Sequence, residues 1–222
     1  DHARHPKNLT LALGTGAVTP LQMAGACAVF ANGGYSVQPY LIAKIQDGSG
    51  AVIQQATRPA TPPEDQRVID QRNAFVTDTM LRAVSLYGTG AAATDRLGRT
   101  DLAGKTGTTS DAIDGWFAGY AGNVVAVAWM GYDEPKSLGG REFGATLSLP
   151  IWIDYMKAAI AKTPTREREP PEGVTQENGD WIYSEYAELA DFKSIDITPL
   201  PEDAPMAPAE QEEQPPEPPS GW

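Results

Sequence analysis

Three strand-like stretches in close succession, residues 102–109, 116–121 and 124–133, constrain this chain more than any other feature. Parallel neighbours need a crossover of a dozen or more residues, and the gaps between these stretches are far shorter. The chain is therefore expected to build a three-stranded antiparallel sheet in simple sequential order. Helix signals stand on both sides of it, so the fold class is α+β, with helices packing on the sheet.

The helix signals are local and specific. Thr19-Pro20-Leu21-Gln22 combines a threonine N-cap, a proline at the first helical position and a glutamine at the third, a capping-box start. The helix predicted to follow carries no charge from Leu21 to Ala31 and stops at Asn32-Gly33-Gly34, so its composition suits burial on most sides. A second helix is predicted over residues 71–87, with Val76, Met80, Ala83, Val84 and Tyr87 as its apolar stripe and Gly88-Thr89-Gly90 as its end. Pro150 opens a last helix over 151–161, whose Ile151, Trp152, Tyr155, Met156, Ala159 and Ile160 are expected to cover one face of the sheet. Asp47-Gly48-Ser49-Gly50, between apolar runs 40–46 and 51–55, reads as a hairpin turn, and 57–66 and 134–146 read as loops.

Charge divides the chain. Residues 1–163 hold 14 acidic and 14 basic side chains, so the whole net charge of −12 lies in residues 164–222. Eleven of the 19 prolines lie there too. The reading is a domain over 1–163, an acidic, partly ordered extension over 164–200 and a disordered Pro/Glu-rich tail over 201–222. Trp181, Tyr183, Tyr186 and Phe192 are the residues able to dock the extension. No basic patch suits nucleic acid, and no apolar run approaches the roughly 20 residues that span a bilayer. Cys27, alone of its kind, excludes an internal disulfide and fits a small buried hydrophobe. His2 and His5 have no companions at metal-ligand spacing, so neither a metal nor a cofactor is expected.

The chemistry centres on Lys105-Thr106-Gly107-Thr108-Thr109. Lys105 offers a compact ammonium, Thr106, Thr108 and Thr109 offer hydroxyls, and Gly107 lets another backbone come close. Strand alternation keeps Lys105 off the face shared by Thr106 and Thr108. Lysine on an exposed strand edge also serves simply to deter aggregation. The context distinguishes the two. Asp114-Gly115-Trp116-Phe117-Ala118-Gly119-Tyr120 and the apolar run 124–133 follow in order, with Leu11-Gly14-Thr15-Gly16, Phe30-Ala31-Asn32-Gly33-Gly34-Tyr35, Gly88-Thr89-Gly90 and Leu149-Pro150-Ile151-Trp152 around them.

In this set of motifs, over residues 8–163, the chain resembles the transpeptidase domain of class A (bifunctional) penicillin-binding proteins. The resemblance implies a penicillin-binding-protein and serine β-lactamase-like fold, with Lys105 and Thr108 catalytic and Lys105, Thr106, Gly107, Thr108 and Thr109 binding substrate. It implies serine acyl transfer on the D-alanyl-D-alanine end of peptidoglycan stem peptides, and acylation by β-lactam antibiotics. No serine here has lysine three places on, and no Ser-x-Asn occurs. The chain, which opens on Asp1 without methionine, is therefore expected to be the C-terminal part of such a domain, with the remainder of the polypeptide as its partner. In that reading the apolar helix from Leu21 leaves a patch exposed. Membership also implies an upstream glycosyltransferase domain and an N-terminal membrane anchor outside this chain, placing the protein at the periplasmic face of the inner membrane.

Two alternatives stay in view. Gly104-Lys105-Thr106 imitates a phosphate loop, but that motif needs glycine where Arg99 stands and must open a helix. A non-catalytic binding module with the same fold differs only in lacking Ser-x-x-Lys upstream. Asp114, Trp116 and Phe117 are assigned to a turn acid and alternating core aromatics.

Overall fold

The computed structural model describes residues 8–57, 62–140 and 142–187. Its centre is the expected sheet: β3 (Ala103–Thr108), β4 (Asp114–Ala121) and β5 (Val124–Gly131) are antiparallel in the order β3-β4-β5. Lys105 lies opposite Ala118 and Gly107 opposite Trp116, while Trp116 lies opposite Trp129. Neighbouring residues on a strand alternate between faces. Lys105, Gly107, Trp116, Tyr120 and Trp129 therefore share one face, and Thr106, Thr108 and Phe117 share the other.

The Phe117 face is the well-covered one. Helix α4 (Ser148–Ala159) lies on it, with Phe117 meeting Trp152 edge-on at 4.9 Å between ring centroids and the Trp152 indole donating to the Ala126 carbonyl at 3.1 Å. Leu102, Leu149, Ile153, Met156 and Ile160 complete this core. The predicted stripe on this helix is corrected: Trp152, Met156 and Ile160 are buried, but Ile151 and Tyr155 are exposed and Leu149 and Ile153 replace them. The helix begins at Ser148 rather than Pro150, because the Ser148 and Leu149 amides already reach the Gly144 carbonyl.

Helices α1 (Pro20–Ala31) and α2 (Gln71–Tyr87) serve the other side of the sheet. The capping box forms, Gln22 N–H donating to Thr19 and Thr19 N–H to Gln22 Oε1. The expectation that this helix is buried on most sides is not met. None of its residues is buried, and Leu21 is 60 % exposed. It rests against β4, β5 and α2, and most of its residues are half-buried.

The α2 stripe is also corrected. Met80 and Tyr87 are 57 % and 85 % exposed, whereas Ala74, Phe75, Asp78 and Ser85 are buried. Apolar periodicity points to the wrong face of this helix because its inner face carries a carboxyl side chain. Asp78 is 1 % exposed, pairs with Arg82 one turn on at 2.9 Å, and accepts a hydrogen bond from the Tyr120 hydroxyl at 2.7 Å.

Two elements were not anticipated. After Gly88-Thr89-Gly90 the chain turns directly into α3 (Ala91–Leu97), held by Thr94 Oγ1 donating to the Ser85 carbonyl at 2.7 Å. Beyond α4, β6 (Val174–Glu177) and β7 (Asp180–Tyr183) form a hairpin closed by Asn178-Gly179, both at positive φ, the conformation a two-residue primed turn requires. The other hairpin, β1 (Lys44–Gln46) with β2 (Val52–Gln55), lies where the Asp47-Gly48-Ser49-Gly50 signal put it and is exposed throughout.

The extension docks through two of the four aromatic side chains singled out for it, Trp181 and Tyr183. Trp181 meets Phe75 of α2 edge-on at 5.1 Å, and Arg72 stacks on Tyr183 at 4.7 Å while pairing with Glu185 at 3.0 Å. Upstream of the hairpin, Arg168 donates to the carbonyls of Phe30 and Ala31 at the C-terminus of α1 and stands 3.5 Å from Asp78. Arg99 grips Asp101 with two hydrogen bonds and donates to the Thr163 carbonyl at 2.6 Å. Phe192 and the tail over 201–222 lie outside the described residues.

Candidate functional site at the free edge of the sheet

β3 pairs with β4 on one side only, so Lys105–Thr108 lies on a free edge of the sheet. Its burial grades along the strand. Ala103 and Gly104 are buried and Lys105 is exposed. A side chain at 104 would meet the Phe117 ring at 2.8 Å and the Ala118 carbonyl at 2.9 Å, so glycine there lets the strand lie flat on the core.

Lys105 and Thr106 leave the strand on opposite faces, yet the Lys105 ammonium donates to Thr106 O at 3.0 Å and to Thr106 Oγ1 at 3.1 Å. Lys105 thus wraps round the unpaired edge. Thr106 Oγ1 is in turn 2.8 Å from Thr89 Oγ1, on the turn between α2 and α3. An ammonium and two hydroxyls therefore converge at one point. None of the ion pairs among the described residues involves Lys105, so its charge is available to an anion.

Thr108 and Thr109 are committed differently from Thr106. Thr108 Oγ1 accepts the Gly144 amide at 3.0 Å, which fastens the 142–147 turn to the strand. Thr109 Oγ1 accepts the Asp114 amide at 2.9 Å, closing the connection to β4. That connection holds Asp111 and Ala112 at φ 60° and 50°, a left-handed conformation L-residues seldom adopt. It is secured from outside, Leu138 N–H donating to the Ala112 carbonyl at 2.8 Å and Ser137 Oγ to the Asp111 carbonyl at 2.7 Å.

Sequence reasoning brought Lys105, Thr106, Gly107, Thr108 and Thr109 to one strand end, where the structure places them. It did not assign Thr89 or Gly144. In the sequence Thr89 marks a helix end, and a hydroxyl between two glycines at the close of a helix is itself a recognisable signal. Gly144 touches the site through backbone alone, which no side-chain pattern reveals. Asp114 accepts from the indoles of both Trp116 and Trp129 at 3.1 Å, so it is more than a turn acid, while Phe117 and Trp152 are core. Among the described residues no group of three or more His, Cys, Asp or Glu side chains is placed to hold a metal ion. No helix there is long and apolar enough to cross a membrane.

Residues 6–154 match the penicillin binding protein transpeptidase domain. The chain belongs to this family. Penicillin-binding protein 1A of Pseudomonas aeruginosa is 40 % identical, over 76 % of this chain and 26 % of that protein. The crystal structure of penicillin-binding protein 1A from Haemophilus influenzae superposes with a TM-score of 0.73 at 29 % identity, covering 82 % of this chain and 34 % of that one. Mycobacterium tuberculosis PonA1 in complex with penicillin V superposes with a TM-score of 0.60 at 27 % identity, over 75 % of this chain and 45 % of that one. This transpeptidase-family chain thus spans about a quarter of the length of the Pseudomonas relative. The α+β sheet with its packing helices is the family's fold.

Proposed function

We propose that these residues form the carboxylate-binding half of a serine-type peptidoglycan D,D-transpeptidase, with the nucleophilic serine supplied by another part of the polypeptide. The observation that carries the reading is the convergence of Lys105 Nζ, Thr106 Oγ1 and Thr89 Oγ1 on a free strand edge. The substrate is an extended peptide ending in a carboxylate. Such a peptide pairs with an open edge through its main chain, while an ammonium and hydroxyls receive its charge.

In the reaction the serine oxygen attacks the penultimate D-alanine carbonyl and the carbonyl π electrons move onto oxygen. Collapse breaks the amide bond and expels D-alanine, whose nitrogen takes up a proton. A neighbouring stem's amine then attacks the acyl-serine ester and returns the hydroxyl. Lys105 favours loss of the serine proton and holds the carboxylate. The Thr108 amide supplies half of the oxyanion hole, a donor whose removal costs about 10²–10³ in rate. β-Lactams acylate the same serine, since their ring acid stands in for the terminal carboxylate. Penicillin V in complex with PonA1 supports this. In this reading the protein is a class A enzyme with a glycosyltransferase domain upstream, anchored at the periplasmic face of the inner membrane.

Acylation of the full-length protein by a fluorescent penicillin tests the proposal. Lys105→Ala should slow acylation by roughly 10²-fold, and Thr106→Val by less, with the melting temperature unchanged. A full-length protein that is not acylated at all would be a binding module. Wild-type acylation in both variants would reduce the strand to an ordinary sheet edge.

A further inference from the structure

Asp114 has an arrangement that a turn acid does not need. One carboxylate oxygen, Oδ2, accepts the indole N–H of Trp116 and of Trp129, each at 3.1 Å. The two rings lie 6.1 Å apart and inclined at 58°. The other oxygen, Oδ1, is buried and takes no hydrogen bond from the described residues. A buried carboxylate oxygen without a partner lowers stability, and such costs persist chiefly where function retains them.

Two glycines make room for these rings. A side chain at Gly107 would meet Trp116 Cβ at 3.3 Å and Cδ1 at 3.9 Å. One at Gly131 would meet Trp129 Cζ2 at 2.4 Å and Asp114 Cβ at 3.1 Å. Cross-strand register puts Trp116 beside Gly107, on the same face as Lys105. Trp129 remains 38 % exposed. A tilted pair of indoles therefore adjoins Gly107, where the strand offers a ligand no side chain of its own.

We infer that Asp114 is a positioning residue for the Lys105–Thr108 edge: it locks the Trp116 and Trp129 indoles into a rigid platform against which the part of the acyl donor crossing Gly107 packs. This rests on the transpeptidase reading above. Asp114 touches no substrate and acts through Trp116, so its effect falls on binding of the acyl donor rather than on the bond-making step.

The test is stopped-flow acylation of the full-length protein by a fluorescent penicillin, separated into the Kd of the initial complex and the limiting acylation rate. Asp114→Ala and Trp116→Leu should each raise Kd by about tenfold with the limiting rate within about twofold. The double variant should be no worse than either single change, because one residue acts through the other. Asp114→Asn keeps an acceptor oxygen and should return Kd to within about threefold of wild type. Where Asp114→Ala fails to fold, Trp116→Leu carries the same expectation by itself. Unchanged Kd, additive losses, or a loss confined to the limiting rate would overturn the inference. Lys105→Ala run in parallel separates the two readings: a normal rate there defeats the transpeptidase assignment, whereas a slow Lys105→Ala with normal Asp114 variants defeats the platform alone.

Discussion

The Tyr120 hydroxyl donates to the Asp78 carboxylate at 2.7 Å, joining the central strand of the sheet to the buried face of α2. Asp78 also faces Arg82 at 2.9 Å and Arg168 at 3.5 Å, so a single carboxylate ties together strand, helix and extension. Burial, and then the Asp78 charge, push the Tyr120 phenol well above its ordinary pKa, so this hydroxyl remains a donor at any physiological pH.

Removing the carboxylate should be far worse than removing the phenol. Asp78→Ala leaves Arg82 and Arg168 without their buried counter-charge and should cost about 3–5 kcal/mol. Tyr120→Phe loses one hydrogen bond to a charged acceptor, about 1.5–3 kcal/mol. Urea unfolding of the full-length protein measures both, and equal losses would show that Asp78 is not the hub.

Gly144→Ala should disable the edge site without touching its side chains. A β-carbon there would lie 2.3 Å from the Trp116 carbonyl and 2.5 Å from the Gly107 carbonyl, both backbone atoms that cannot move aside cheaply. The 142–147 turn must lift, releasing Thr108 Oγ1 from the Gly144 amide. Acylation by a fluorescent penicillin should fall by about tenfold or more, and a normal rate would show that the turn is dispensable.

Cys27 should behave as a masked thiol. Cys27 is half-buried, and the desolvation of its thiol there pushes its pKa up to about 11, so the folded state disfavours the thiolate. The associated stability is fully present below the unfolded thiol pKa near 9 and is lost as pH rises toward 11, a change of about 2–3 kcal/mol. Cys27→Ala should flatten this alkaline decline. At pH 8 the native thiol should react with a disulfide reagent far more slowly than the unfolded one.

The extension and the tail should part company on truncation. Removal of residues 163–187 and all that follows takes away the Arg168 bonds to the end of α1, the Arg99 contact with Thr163 and the Trp181–Phe75 packing. The melting temperature should drop by several degrees or more. Deleting only 202–222 should leave it almost unchanged, since that segment is composed of prolines, acidic residues and little apolar surface. Melts of the two truncations decide this, and a large drop on the shorter deletion would mean that the tail carries stability.

The sequence by itself determined the three strands, their antiparallel order, the capping-box start of α1 and the placement of Lys105, Thr106, Gly107, Thr108 and Thr109 at one strand end. Those features depend on residues a few positions apart, so short-range patterns encode them. The β6–β7 hairpin is equally legible in Asn178-Gly179, a local turn signal.

Tertiary structure alone decided which face of α2 is buried. An apolar stripe through Met80 and Tyr87 predicts the wrong side, because the energetics of Asp78 depend on Tyr120 and Arg168, distant in sequence. It likewise decided that Thr89 joins Thr106, that Gly144 rests on Gly107, and that Asp114 holds Trp129 across the sheet. Each of these couples groups through space, with a strength fixed by distance and burial, and neither quantity is written in the order of residues along the chain.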